Sequence, residues 1–231
     1  MDKRTKVYQV FESIATTYDK ANERISLGCE GQWKDTLIRQ VAQDALLGKH
    51  VLDVCCGTGD ITLGIKSRRP DLDVTGLDFS PAMLAVAKAK EPSFQSIHWH
   101  CGDALQLPFQ PHRFAAVTIS FGLRNTTDYQ AALGEMFRVA EPGGRLYCLD
   151  SFVPEQPWIR PFYTLYFRYI MPFLGGGVAK RMQYQWLSDS TTQFLRVREL
   201  AALMEQVGWS HIETTTFLFG SCVLLTATKQ V

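Results

Sequence analysis

The stretch from Val51 to Ile65 constrains the fold more than any other part of the chain. Val51-Leu52-Asp53-Val54-Cys55 is a short apolar run closing on Gly57-Thr58-Gly59, and Asp60 to Ile65 continues at helical spacing. The order is strand, tight turn, helix. The alternation then repeats. Pro70 stops the helix, Asp73–Leu77 reads as a strand, and Ser80-Pro81 opens a helix with a capping serine and proline in its first position. That helix, Pro81–Lys90, ends before Pro92. Ser96–His100 and Phe114–Ser120 are further strands. Thr127-x-x-Gln130 reads as a capping box opening a helix through Arg138. Pro142-Gly143-Gly144 then turns the chain into a strand at Arg145–Asp150. Strands alternating with helices imply βαβ units and a parallel sheet. The expected fold is therefore α/β, a Rossmann-like, doubly wound and mostly parallel sheet.

Two stretches fall outside the alternation. Val7–Leu47 reads as two or three helices, with Val7, Val10, Phe11, Ile14 and Ala15 on one face. From Pro154 to about Arg196 the chain is dense in aromatics and arginine, an insertion expected to be helical from Trp158 to Tyr169. Val197–Val207 is a helix closed by Gly208, and Ile212–Phe217 and Ser221–Thr228 are the last strands. The expected organisation is one domain, 1–231. It comprises N-terminal helices at 1–47, a cofactor-binding core at 48–153, a substrate-side insertion at 154–196 and a C-terminal helix and strands at 197–231.

Composition narrows the function. The 231 residues suit one α/β domain, and a formal net charge of +1 offers no argument for nucleic acid. The polar start, Met1-Asp2-Lys3-Arg4, has no apolar h-region, and no uncharged apolar run reaches membrane-spanning length. A cytoplasmic protein is expected. Its six cysteines contain no C-x-x-C pair and are expected as free thiols. His98-x-His100 would share a strand face, yet no further ligand cluster lies beside it, so no metal is expected.

The loop after the first strand carries the chemistry. A glycine turn between strand and helix presents backbone N–H groups and lets a ligand approach the main chain. Dinucleotide enzymes need a third glycine at the place of Thr62, so nicotinamide and flavin cofactors are disfavoured. Asp78 ends the second strand, where a carboxylate can accept both hydroxyls of a ribose. Gly102-Asp103-Ala104 brings another acid to the same sheet edge. The pattern Asp53-x-Cys55-Cys56-Gly57-Thr58-Gly59 resembles the nucleotide loop of S-adenosylmethionine-dependent methyltransferases. Their cofactor has no pyrophosphate to seat, while its amino group and sulfonium favour an acidic pocket.

The resemblance extends to a narrower family. Phe11-Glu12-Ser13-Ile14-Ala15-x-x-Tyr18-Asp19-x-x-Asn22, with Ile25-Ser26 and Trp33-Lys34, is similar to the first signature of the ubiquinone/menaquinone biosynthesis C-methyltransferases. Leu52 to Asp60, Ser120-Phe121-Gly122-Leu123-Arg124-Asn125 and Pro142-Gly143-Gly144 are similar as well. In the insertion, Tyr166-Phe167-x-Tyr169-Ile170-Met171-Pro172 and Tyr184-x-Trp186-Leu187-x-x-Ser190 match the menaquinone branch.

That family methylates an aromatic carbon of a prenylated hydroquinone such as demethylmenaquinol. The resemblance implies S-adenosyl-L-methionine at Asp53, Gly57, Thr58, Gly59, Asp78, Phe79, Asp103, Ala104 and Ser120. It implies Arg124, Tyr18 and Asp19 at the methyl-transfer centre, with Asn22, Asn125, Tyr166 and Tyr184 toward the substrate. Arg124 would stabilise a phenolate, and the residue that takes the proton stays open. The implied partner is a small aromatic quinol, with at most peripheral membrane contact; a homodimer is left open. Departures from the family's signatures fall at Ala21 (methionine), Glu30 (histidine), Ala140, Glu141, Asp150 (glutamate) and Phe152 (serine). They leave two alternatives, another small aromatic or natural-product substrate and a non-catalytic cofactor-binding scaffold.

Overall fold

A computed structural model describes residues 2–44, 49–92, 96–166 and 189–230. Three helices precede the sheet: α1 (Lys3–Ile14), α2 (Tyr18–Ile25) and α3 (Glu30–Asp44). Then come β1 (His50–Val54), α4 (Asp60–Arg68), β2 (Asp73–Asp78), α5 (Pro81–Lys90), β3 (His98–Cys101) and β4 (Phe114–Ser120). After them run α6 (Tyr129–Val139), β5 (Ala140–Ser151), α7 (Arg160–Leu165), α8 (Val197–Val207), β6 (Trp209–Phe217) and β7 (Cys222–Lys229).

The strands form one sheet in the order β3-β2-β1-β4-β5-β7-β6. Every pairing is parallel except those of β7 with β5 and β6. The winding reverses between β1 and β4, and the carboxyl ends of neighbouring strands diverge there to leave a crevice. Alternation along β1 sends successive side chains to opposite faces. Val51 packs with Leu37 and Val41 of α3 and Ile61 and Ile65 of α4, whereas Leu52 and Val54 share the other core with Leu133 and Met136 of α6. Leu200 and Met204 of α8 extend that second core. Val10 and Ile14 of α1 pack on Met83 of α5, outside both.

Three local expectations change. The cap of α6 is Asp128, whose Oδ1 accepts Ala131 N–H at 2.9 Å; a carboxylate one residue nearer the helix displaces Thr127 from that role. Pro142-Gly143-Gly144 lies inside β5 as an irregularity rather than ahead of it, because Phe114 already pairs with Ala140 before the register shifts. Gly144 passes so close to backbone that a Cβ would sit 2.8 Å from Glu141 O. Helix α7 begins at Arg160 rather than at Trp158, and residues 167–169 of the expected helix, like Tyr184 and Trp186, lie outside the described residues. Among the described residues no helix is long and apolar enough to cross a membrane.

Candidate active site

The loop between β1 and α4 turns on left-handed residues, with φ of 55° at Cys55, 55° at Gly57 and 84° at Gly59. At Gly59, the N-cap of α4, a Cβ would lie 2.8 Å from the Trp99 ring, so this glycine shapes the turn where a side chain would collide. Thr58 is buried, and its hydroxyl donates to Asp19 Oδ1 at 2.5 Å. Asp53 faces inward and accepts from Thr62 Oγ1 at 2.6 Å and Thr118 Oγ1 at 2.7 Å. Burial pushes its carboxyl up to about 6, with the threonine hydroxyls pulling the other way.

Asp78, at the end of β2, accepts Gly57 N–H at 2.8 Å and Ser80 N–H at 2.9 Å. It thus ties the glycine loop to the start of α5. Burial also raises this carboxyl to about 6 against those backbone donors. Gly57, Asp78, Phe79, Asp103, Ala104 and Ser120 line one inner cavity at the crevice, about 750 Å³ counted out to its solvent-open mouth. A smaller recess lined by Asp53, Thr58 and Lys34 adjoins it through Cys55 and Gly57. Ser120 Oγ and Asn125 Oδ1 are buried on the inner cavity without a hydrogen-bond partner among the described residues. Two carboxylates, exposed backbone edges and two orphaned acceptors suit a ligand with ribose hydroxyls, an amino group and positive charge. S-Adenosylmethionine fits that description.

Helix α1 closes the inner cavity, presenting Arg4, Val7 and Phe11 to it. It is held at three points. Arg4 Nη2 pairs with Asp103 Oδ2 at 2.8 Å, and Lys3 Nζ donates to Arg124 O at 3.1 Å. Glu12 Oε1 accepts from Ser80 Oγ at 2.6 Å and from Ala82 N–H at 3.1 Å.

An outer cavity, about 1150 Å³ counted out to its solvent-open mouth, lies beyond, walled by α2, α3, α7 and the Phe121–Arg124 segment. Tyr18 and Phe121 line both cavities and stand where they meet. Phe121 holds φ 54°, which carries its ring out of the line of β4; such strain in a non-glycine residue gathers at functional sites. Arg124, buried at the outer wall, donates from Nη1 to Phe121 O at 2.9 Å and to Asp150 Oδ1 at 2.5 Å. Its Nε has no partner among the described residues.

Asn22 and Tyr166 line the outer cavity, and Tyr166 donates to Ile25 O at 2.5 Å. Asn125 stands on the inner cavity instead, with Nδ2 donating to Phe121 O at 3.1 Å. Asp19 faces away from both, since its second oxygen pairs with Lys90 at 2.5 Å. Tyr18 is shifted up to about 12, by burial first and then by the Glu30 charge. It is a hydrogen-bond donor, not a proton acceptor, near neutral pH.

Sequence reasoning passed over two residues. Asp150 was visible only as a departure, yet it seats Arg124 from 26 positions away. Glu30, another departure, is buried in the outer wall and pairs with Lys34.

The ubiE/COQ5 methyltransferase family model matches residues 1–229. Among curated relatives, the demethylmenaquinone methyltransferase of Staphylococcus haemolyticus is 40% identical over 230 residues, covering 99% of this chain and 95% of that one. The Staphylococcus aureus enzyme of the same name is 38% identical over 229 residues, covering 98% and 94%. Among solved structures, Haemonchus contortus phosphoethanolamine N-methyltransferase 2 in complex with S-adenosyl-L-methionine is similar, with a TM-score of 0.68 at 16% identity. That match covers 100% of this chain and 60% of the other, and it bears on the fold alone.

Proposed function

The chain belongs to the ubiE/COQ5 methyltransferase family and is an S-adenosylmethionine-dependent methyltransferase, and from that premise we propose that it methylates a ring carbon of a prenylated hydroquinone of the demethylmenaquinol type. The observation that carries the reading is the buried Arg124, seated by Asp150 at the wall of a largely apolar cavity that meets the inner cavity at Tyr18 and Phe121. S-Adenosylmethionine supplies an electrophilic methyl group when bound and leaves as S-adenosylhomocysteine.

In this reading, Asp78 accepts the ribose hydroxyls on its remaining lone pairs, and Asp103, Ala104 and Phe79 border the base. Asp53 and Thr58 set the floor of the recess. Arg124 holds the oxygen on which negative charge develops, offering the unengaged Nε–H. Tyr18 and Phe121 align the ring edge-on to the inner cavity, and Asn22 and Tyr166 border its other side. Helix α1 keeps water away from the reacting atoms.

A membrane-peripheral position supports access for a greasy tail. Phe162 and Leu218 are exposed and line the outer cavity, and Trp158, Leu165 and Phe219 beside them in sequence are exposed too. Trp158 and Phe219 pack edge to face at 5.7 Å, with the exposed Arg160 close by in sequence to meet anionic headgroups.

Another phenolic ring is favoured by one observation, the change relative to the family signature at Glu30, on the cavity wall, and at Ala21, packed behind it. Ala21 is buried, and Tyr166 packs into the space beside it. Incubating purified protein with labelled methyl donor and a panel of hydroquinones and phenols, with products read by mass spectrometry, separates the two. Methylation of prenylated naphthoquinols above all others is expected. Preference for an unprenylated phenol would replace the first reading with the second, and absence of turnover would favour a scaffold.

A further inference from the structure

A phenolic ring is a poor carbon nucleophile until its hydroxyl proton leaves, so the site needs a proton acceptor. The groups first in view do not supply one. Tyr18 keeps its proton to about pH 12. Asp19 is engaged by Thr58 and Lys90, away from the outer cavity. Asp150 is fully buried and committed to Arg124. Arg124 is always charged.

Among the described residues lining the outer cavity, Glu30 is the only carboxylate, and no histidine, cysteine or lysine accompanies it. It opens α3 beside Tyr18, whose hydroxyl its charge pushes up. One turn along α3, Lys34 pairs with it and also with Asp60 Oδ2 at 2.9 Å. Burial pulls the Lys34 ammonium down, yet Glu30 and Asp60 together hold it above its usual range. Lys34 is thus a persistent cation paired with Glu30 at an otherwise apolar wall. Asp60 in turn meets Lys90 at 2.9 Å, so the pair belongs to an ion chain leading toward the surface.

We propose that Glu30 is the acceptor of the substrate's hydroxyl proton, with Arg124 facing the oxygen that loses it. This rests on the phenolic-ring reading above. The balance is simple. The O–H bond breaks toward Glu30, and its electron pair moves into the ring. The ring carbon bonds to the methyl group while the methyl–sulfur bond breaks. The methylated carbon then releases its hydrogen to water as aromaticity returns, and Glu30 gives the proton back to the oxygen. One proton is released overall. The family signature carries histidine at this position, and the two side chains share the capacity to accept a proton.

The test compares wild type with Glu30→Gln, which keeps shape and loses basicity, on the phenol that wild type methylates best. The expected loss in kcat is about 100-fold or more, the range for general-base catalysis, with S-adenosylmethionine affinity unchanged. The variant's rate should climb with pH and approach wild type near pH 10, where the phenol ionises unaided. Glu30→His should recover much of the rate, rising through about pH 6.5 as the imidazole loses its proton. Calorimetry adds a readout without turnover: Glu30→Gln should weaken binding of a hydroquinone but not of its dimethyl ether. A kcat ratio independent of pH, or equal losses for hydroquinone and ether, would overturn the assignment and leave a packing role. If wild type methylates no phenol, the functional reading falls with it. Turnover retained by Glu30→Gln would overturn the Glu30 assignment alone.

Discussion

Arg124 and Asp150 face each other across 2.5 Å in the protein interior, one on the turn after β4 and the other near the end of β5. The backbone N–H of Arg124 also donates to Asp150, at 3.3 Å. The pair fixes a positive fork at the cavity wall. Such pairs matter less for net stability than for what happens when one member is lost.

Asp150→Asn should therefore strand a buried guanidinium and cost about 3–5 kcal/mol of stability. For a chain of this size that corresponds to a fall of roughly 10 °C in Tm. Asp150→Glu, which restores the family residue, should keep most of both stability and turnover. Thermal melts beside single-turnover methyl transfer, expressed per folded molecule, decide whether the carboxylate acts through Arg124.

Arg124→Leu should leave S-adenosylmethionine affinity near wild type and lower kcat by about 100- to 1000-fold, as for loss of one stabilising donor. Arg124→Lys should recover only part, because a point charge cannot replace the planar fork. A normal rate per folded molecule in a cool-melting leucine variant would assign Arg124 a structural role.

Asp78→Ala should weaken S-adenosylmethionine binding by about 30- to 150-fold, equivalent to roughly 2–3 kcal/mol. The same site predicts a pH dependence. Asp53 and Asp78 sit near 6 in the folded protein, above ordinary carboxylates, so the native state holds their protons more tightly than the unfolded chain does. Their contribution to stability is present below about pH 4 and is lost as pH rises through about 6. Cofactor affinity runs the opposite way, since a cation and hydroxyl donors prefer ionised carboxylates. Calorimetry should show affinity falling from pH 7.5 to 5, with protons released on binding near pH 6.

Helix α1 should gain hydrogen-exchange protection when S-adenosylmethionine binds. Glu12→Ala removes the acceptor for Ser80 and Ala82, and it should speed cofactor release several-fold. Equal protection of residues 3–14 with and without ligand would deny the helix a gating role.

Wild type should float with vesicles containing anionic lipid, and a Trp158→Ser, Phe219→Ser double variant should not. That variant should keep activity on a short-tailed, water-soluble quinol while losing it on a long-tailed quinol embedded in vesicles. Unchanged flotation would leave these aromatics without a membrane role.

Local chemistry made most of the fold legible. Gly57-Thr58-Gly59, Asp78 and Ser80-Pro81 each act within a few residues of themselves, so spacing alone located the crevice. What stayed hidden depends on distant contacts. Asp19 sits next to Tyr18 in the chain, yet Thr58 and Lys90 draw its carboxylate to the far side of α2. Asn125 follows Arg124 but turns to the inner cavity, because the 3-10 turn at Leu123–Asn125 points consecutive side chains apart. The Arg124–Asp150 pair required knowing that β4 and β5 are neighbours. Differences at Glu30 and Asp150 gained meaning only once the cavity wall was in view.

The position of β7 carries a lesson about biogenesis. Residues 222–229 wedge between β5 and β6, so the last strand of this sheet in chain order is not one of its edges. Until it emerges, one margin of β5 offers unpaired backbone and apolar side chains such as Leu146 and Cys148 to any passing strand. The Rossmann half can condense earlier in synthesis, with β5 held by β4, but the strand bearing Asp150 gains its second neighbour only once β7 is made. A polypeptide interrupted ahead of Cys222 would possess every side chain described around the two cavities and lack the strand that covers the second margin of β5.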